Sequence, residues 1–325
     1  MSLKVRVPGS LMLMGEHAVL HGELAIAMAA ANFVEISLTP RVDQRISIDS
    51  ELAQYSSELD KLEDEPKLSF VLAAIRQQQT QLKAGFDLSI RSGFSHTVGL
   101  GSSAAVTAGV VALLAKYGGD ELAPEALFER ALTVVHQVQG GRGSGTDLVA
   151  SIFGGLVAYR VEPREIRRLP GLPPVDLYYV GYKMKTPEVI ARVEASAHKA
   201  PALYQQLYRL MGQTSEAAEA AINASDWSLL GQLMNSYAGL MDALGVCDTN
   251  LAQLQFKLRD CAGVEGAKIS GSGLGDCVIA LGRADPDQIG YTHIPVSVSK
   301  QGLIFIAESA GSSSLASIGE SNEQV

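Results

Sequence analysis

Apolar and polar residues alternate in several short stretches. Val5 and Val7 alternate with Lys4 and Arg6 until Pro8-Gly9 interrupts, the period of two expected of a half-buried strand. Phe33–Thr39 (FVEISLT), Ile46–Ile48 and Phe86–Ile90, with Phe86, Leu88 and Ile90 on one face, read as further strands. A helical period takes over between Asp120 and Gln139. There Leu127, Phe128, Leu132, Val135 and Val138 form one stripe, Pro124 suits the first turn and Gly140-Gly141 ends the run. Leu230, Leu233, Met234, Tyr237, Leu240, Met241 and Leu244 form a second stripe, capped by Ser225-Asp226 and closed by Gly245. Residues 104–115 are apolar all round and read as a buried helix. Lys268-Ile269 and Cys277–Leu281 read as two strands around a glycine cluster. Strands and helices mingle without regular βαβ spacing, which predicts a two-domain α+β fold.

The length, 325 residues, also exceeds what one core usually fills. The proline-rich stretch 162–174 (EPREIRRLPGLPP) reads as a surface connection, so the expected domains are 1–165 and 175–307. Residues 308–325 are Ser/Gly-rich and read as a polar tail outside any core. No internal repeat is present. With 26 Lys+Arg against 35 Asp+Glu the formal charge is −9, which argues against nonspecific binding to nucleic acid or a membrane surface. Cys247, Cys261 and Cys277 form no CxxC pair and are too few for a disulfide framework. The longest apolar run is too short for a membrane span, and MSLKVRVPGS lacks a signal-peptide core. A soluble cytoplasmic protein is expected.

Three glycine-rich segments and one aspartate carry the candidate chemistry. In the first, Val7–Gly22 (VPGSLMLMGEHAVLHG), Glu16 and His17 follow Gly15; they suit a ligand contact at a strand edge, or a polar surface turn. His17 and His21 have the spacing of a metal pair, but further ligands are lacking and Gly22 would end any helix. The second is Gly99–Ala105 (GLGSSAA), opening the buried apolar run. Unpaired N–H groups and the helix dipole there make an anion site without a basic side chain, and Ser102 and Ser103 offer hydroxyls to phosphate or magnesium; close helix packing with a serine cap fits the same residues. Gly99, Gly101 and Ala104 also fit a dinucleotide fingerprint with Asp120 as the ribose acid, although no buried apolar strand precedes them. The third is Lys268–Leu281 (KISGSGLGDCVIAL), a loop that could wrap a ligand or simply join two strands. Asp147, in GGRGSGTD, could accept a proton from an attacking hydroxyl or cap the following run. Arg142 could supply positive charge to a transferring phosphoryl group or face solvent. Neither the P-loop signature nor the protein-kinase H-R-D and D-F-G motifs occur.

In order and spacing the three segments resemble the signatures of the GHMP small-molecule kinases. PGSLMLMGEHAVLHG (Pro8–Gly22), GLGSSAA (Gly99–Ala105) and KISGSGLGDC (Lys268–Cys277) carry the likeness, which spans roughly residues 4–282. GEHAVLHG and MNSYAGLMDALGVCDTNL (Met234–Leu251) are most similar to members acting on mevalonate, while HQVQGGRGSGTDLVASIFGG (His136–Gly155) is equally similar to those acting on phosphomevalonate. The resemblance implies an N-terminal domain like domain 2 of ribosomal protein S5 and a ferredoxin-like C-terminal domain, with the site between them. It implies ATP and Mg2+ as cofactors and transfer of a phosphoryl group to mevalonate or a similar small-molecule acceptor, and it leaves a homodimer open. By match, Gly99, Leu100, Gly101, Ser102, Ser103 and Ala104 would hold the ATP phosphates, with Gly271, Ser272 and Gly273 shaping the site. Glu16, His17, Ser144 and Gly145 would face the acceptor, and Asp147 would be the catalytic carboxylate.

Two positions depart from the family pattern. Ser10 stands where a lysine is usual, and His136 stands about where a magnesium-binding glutamate is usual. Arg142, Lys183 or Lys185 would then supply the missing charge, Lys183 and Lys185 lying in GYKMKTPE, which looks like a family substrate loop. Ser103 and His136 are the expected metal contacts. A member with weak catalysis that only binds ligand is the rival from another functional class.

Overall fold

The computed structural model describes residues 2–94, 99–171 and 174–306. In chain order the elements are β1 (Leu3–Met14), β2 (Ala25–Pro40), β3 (Arg45–Ser50), β4 (Gln54–Glu58), α1 (Ser69–Gln78), β5 (Phe86–Ser92), α2 (Ser102–Gly118), α3 (Pro124–Val138), α4 (Thr146–Phe153), β6 (Leu156–Arg160), β7 (Glu165–Leu169), β8 (Val175–Lys183), α5 (Thr186–Ala197), α6 (Pro201–Asn223), α7 (Trp227–Ala243), α8 (Thr249–Arg259), β9 (Val264–Ser270), β10 (Gly275–Gly282), α9 (Pro286–Ile289), β11 (Thr292–Ile294) and β12 (Ile304–Ile306).

Two sheets organise the chain. The larger runs β12-β1-β2-β5-β3-β4, with β6 on the first half of β2 and β7 on β6. The smaller is antiparallel, β11-β8-β10-β9. The alternating stretches read from the sequence lie in β1, β2, β3 and β5. Pro8-Gly9 does not end β1: the register against β2 shifts there and the strand continues to Met14, proline being tolerated at such bulges because the ladder is already broken. The strand read at Phe33 begins eight residues earlier, because Ala25–Ala30 is buried throughout and so shows no alternation. β7 lies inside the stretch read as a connection, and β12 brings the end of the described chain back onto β1. Part of the connection (172–173) and the whole 308–325 tail lie outside the described residues.

Helix α2 runs under the larger sheet. Small residues allow this: Gly109 lies so close to Val5, Val7 and Ile36 that any Cβ would crowd Ile36. Burial on nearly all sides matches its uniformly apolar sequence. Helix α3 packs Leu127, Phe128, Ala131, Leu132 and Val135 on α2 and α1. Helix α7 starts at Asp226, whose carboxylate accepts the Leu229 N–H at 3.0 Å, and packs on β9. Between the two sheets the start of α2, the start of α4 and the β9–β10 turn converge.

Candidate active site

The convergence forms a cleft of about 500 Å³ lined by Glu16, His17, residues 99–104, residues 143–148, Lys183, Gly271, Ser272 and Asp276, a volume within the range of small-molecule sites. Leu52, Phe70, Ile90 and Val106 also line it, together with Glu51, Lys67 and Ser92.

The loop before α2 is shaped by one contact. Gly101 is the N-cap at φ +63, and a Cβ there would overlap Ser10 Oγ. Ser10 in turn donates its main-chain N–H to the Leu100 carbonyl at 3.0 Å. The first helical hydrogen bond is Ala105 N–H to Gly101 O, so the N–H groups of Ser102, Ser103 and Ala104 have no partner within the helix. Ser103 is exposed and lines the cleft. The loop is therefore an open, positively polarised mouth rather than a packed helix start.

Asp147 sits in the first turn of α4, opposite that mouth. Ser10 Oγ donates to its Oδ1 at 2.7 Å. One serine thus touches both the glycine loop and the aspartate. Asp147 opens onto the cleft, yet protein packs round its carboxyl group, and this desolvation raises its pKa. The Ser10 hydrogen bond and the Lys183 charge oppose the rise, while Asp276 adds to it.

Asp276 arrives from the second sheet. It is buried at φ +75, accepts the Gly99 N–H at 3.0 Å through Oδ1, and pairs with Lys183 Nζ at 2.7 Å through Oδ2. Glu16, almost fully buried, pairs with the buried ammonium of Lys268. His17 Nε2 lies 2.8 Å from the Ser272 carbonyl. A carbonyl only accepts, so Nε2 carries the proton and Nδ1 is left as an acceptor. Burial lowers the His17 pKa, which keeps the ring neutral.

The pattern described as GHMP kinases N terminal domain matches residues 69–155, and that described as GHMP kinases C terminal matches residues 218–291. The chain is 30% identical to the mevalonate kinase of Thermococcus sibiricus over 93% of its own length and 98% of the relative's. The chain belongs to the GHMP kinases. The mevalonate kinase of Pyrococcus furiosus is 31% identical over the same shares, 93% and 98%. Among solved structures, Methanococcus jannaschii mevalonate kinase superposes with a TM-score of 0.76 at 21% identity, covering 92% of this chain and 98% of that one. Streptococcus pneumoniae phosphomevalonate kinase, in complex with phosphomevalonate and AMPPNP, gives 0.76 at 19% identity, covering 91% and 99%. The fold is thus the two-domain α+β GHMP kinase fold, and the chain is an ATP-dependent phosphotransferase with an alcohol acceptor.

In this GHMP kinase the residues singled out from sequence do not all meet. Glu16, His17, Ser103, Ser144, Gly145, Asp147, Gly271 and Ser272 share the cleft with residues 99–104. Gly273 lies behind it, so close to Val246 that a side chain would collide. Arg142 is half-exposed, 3.8 Å from Glu194, and does not line the cleft. Lys185 is exposed at the N-cap of α5, also outside the lining. His136 points to the Gly143 carbonyl at 3.0 Å, a contact that braces the glycine turn instead of facing the cleft. Of the three basic residues singled out from sequence, Lys183 is the one that lines the cleft, which Lys67 also lines. Asp120 pairs with Arg130 at 2.8 Å at the far end of α2, about 25 Å from the glycine loop at 1.5 Å per residue, too far for a ribose contact. His21 stacks on Tyr208 with centroids 3.7 Å apart, away from His17's partner.

Lys268 and Asp276 were not visible as site residues in the sequence. Each looks like an ordinary polar position beside a strand, and only the packing of the second sheet against β1 brings them in. Asp276 carried one signal: a charged residue directly after three closely spaced glycines.

Magnesium prefers oxygen donors, usually one or two carboxylates plus substrate phosphates. The Asp147 and Asp276 carboxylates and the Ser103 hydroxyl meet that requirement; the His136 imidazole, turned onto Gly143, does not.

Proposed function

We propose that this GHMP kinase transfers the γ-phosphoryl group of ATP to the primary hydroxyl of mevalonate, giving 5-phosphomevalonate and ADP. The observation that carries the reading is Ser10 joining the loop at Leu100 and Gly101, just before the open N–H groups of residues 102–104, to the Asp147 carboxylate. A phosphate chain held at that mouth would lie against the group able to take the acceptor's proton. The curated relatives, named mevalonate kinase over nearly their full length, support this acceptor.

The phosphates would be held by the main-chain N–H groups of Ser102, Ser103 and Ala104 and by the Ser103 hydroxyl. Ser10 fixes Asp147 Oδ1, leaving Oδ2 to accept the proton as the acceptor oxygen bonds to γ-phosphorus and the bond to the β-phosphate oxygen breaks. Lys183 supplies the positive charge next to the reacting phosphoryl oxygens, the work expected of a lysine at Ser10. Mg2+, held by Ser103 and by Asp276 once Lys183 turns to the phosphates, would offset phosphate charge. Glu16 and His17 would receive the acceptor's remaining polar groups, beside Ser144 and Gly145. We place this chemistry in the cytoplasm; among the described residues no helix is long and apolar enough to cross a membrane.

A coupled assay of ADP release over mevalonate, phosphomevalonate, homoserine, galactose and a no-acceptor blank tests the reading. Mevalonate-dependent release well above every other acceptor is expected; equal release with phosphomevalonate or none above the blank would contradict it. Ser103→Ala is expected to raise the KM for ATP several-fold, by loss of a hydrogen bond to a charged group, with the mevalonate KM nearly unchanged. Gly101→Ala should do more damage, because its Cβ displaces Ser10: kcat/KM for ATP should fall at least about tenfold, as strain at a positive φ and a shifted serine together imply.

A further inference from the structure

The turn that delivers Asp147 is one the chain cannot hold by itself. Gly140, Gly141, Gly143 and Gly145 all stand at positive φ, and glycine loses more freedom on ordering than any other residue. A Cβ at Gly140 or Gly141 would meet nothing within 4 Å, so packing does not fix the start of the turn. Its end is packed, Gly145 lying so close to Leu132 and Phe128 of α3 that a Cβ would crowd both. Between the two, side chains grip successive carbonyls. His136, in the last turn of α3, donates its Nε2 proton to the Gly143 oxygen at 3.0 Å. Tyr159, on β6, donates its hydroxyl to the Ser144 oxygen at 2.7 Å. The same stretch closes on itself: the Thr146 N–H donates to Ser144 Oγ at 3.3 Å, and the Ser144 and Thr146 hydroxyls are 2.7 Å apart.

Tyr159 has no exposed surface, and its ring meets Phe128 edge to face with centroids 5.8 Å apart. Phenylalanine would fill that space equally well. What the hydroxyl adds is its hold on Ser144, the kind of partner a buried phenol needs. Gly143, Ser144 and Gly145 line the cleft, whereas His136 and Tyr159 do not. Any effect of these two on the reaction therefore passes through the turn, which ends at Asp147.

We propose that His136 and Tyr159 are positioning residues for the phosphoryl transfer: by clamping the Gly143 and Ser144 carbonyls they fix the turn, and through it the direction in which Asp147 presents its free oxygen to the acceptor hydroxyl. The inference rests on the reading of Asp147 as the proton acceptor.

The test is a double-mutant cycle in the full chain, with mevalonate and ATP as substrates. Tyr159→Phe and His136→Leu are each expected to lower kcat about tenfold, with the ATP KM within about twofold, since a slightly displaced base loses rate steeply. His136→Gln, which can place an amide N–H near the same carbonyl, should recover most of the loss. In Asp147→Asn no base remains to be aimed, so adding either substitution should lower the residual kcat by less than about twofold. Amide exchange across residues 140–147 should quicken at least about tenfold in both clamp variants, with that of α2 unchanged. If Tyr159→Phe does not fold, His136→Leu and His136→Gln decide alone. Unchanged exchange, faster exchange with parental kcat, or the same loss of kcat in the Asp147→Asn background as in the parent would overturn the proposal. Parental turnover of Asp147→Asn itself would instead overturn the reading of Asp147 as the base.

Discussion

Asp147→Asn is expected to lower kcat on the order of 10²-fold or more, the usual loss when a positioned base is removed, while the fold stays intact. Asparagine can still accept the Ser10 hydroxyl but cannot take the acceptor's proton. The pH dependence has a definite sign. Burial raises the Asp147 carboxyl above its ordinary value, and the base acts only when ionised. Turnover of the parent should therefore fall as pH drops through that raised value, and the residual rate of the variant should lack this limb. Stability runs the other way. A carboxyl whose pKa is higher in the folded than in the unfolded chain favours folding most below its unfolded value, and that contribution is lost as pH rises through the folded one. At neutral pH the ionised group thus costs stability, so the variant should melt at the same temperature as the parent or higher. Turnover near the parental rate would remove Asp147 from the chemistry; a lowered melting temperature would mean that the loss of rate reports damaged structure.

Lys183→Met is expected to lower kcat by about 10²–10³-fold, the effect of deleting one group aimed at charge that develops in the transition state. Lys183 is the cation that lines the cleft beside Asp147 and Asp276, and its pairing with Asp276 holds it there. Lys183→Arg should retain part of the rate, since the charge survives with altered geometry. Arg142→Ala and Lys185→Ala, which remove cations outside the cleft lining, should leave kcat within about threefold of the parent, as surface substitutions do. Parental turnover in Lys183→Met, together with a large loss in either of the other two, would reassign the charge.

Legibility of this chain in its sequence followed the balance between local and distant forces. The helix at residues 124–138 and the strand at residues 86–92 were readable because one face of each is buried and the other is wet, so the periodicity is written locally. The first half of β2 left no such trace, since Ala25–Ala30 is covered on both faces. The glycine loop and Asp147 were readable because a backbone turn and a helix start impose their own residue types. The choice among three basic residues was not, because it depends on which way the chain turns after β8: Lys183 points back over Asp276, whereas Lys185, two residues on, begins α5 at the surface. The role of Ser10 was hidden for a related reason. In sequence it is a missing lysine; in the fold it joins the phosphate-loop candidate to the aspartate across 137 residues.

The most direct measurement is a crystal structure of the full chain with a non-hydrolysable ATP analogue and mevalonate. The expected result places the β- and γ-phosphates on the N–H groups of residues 102–104 and the acceptor's primary hydroxyl about 3 Å from Asp147 Oδ2, the reach of a proton transfer, with Lys183 turned from Asp276 to a γ-phosphate oxygen. A triphosphate bound away from that loop, or a hydroxyl beyond hydrogen-bonding reach of Asp147, would contradict it.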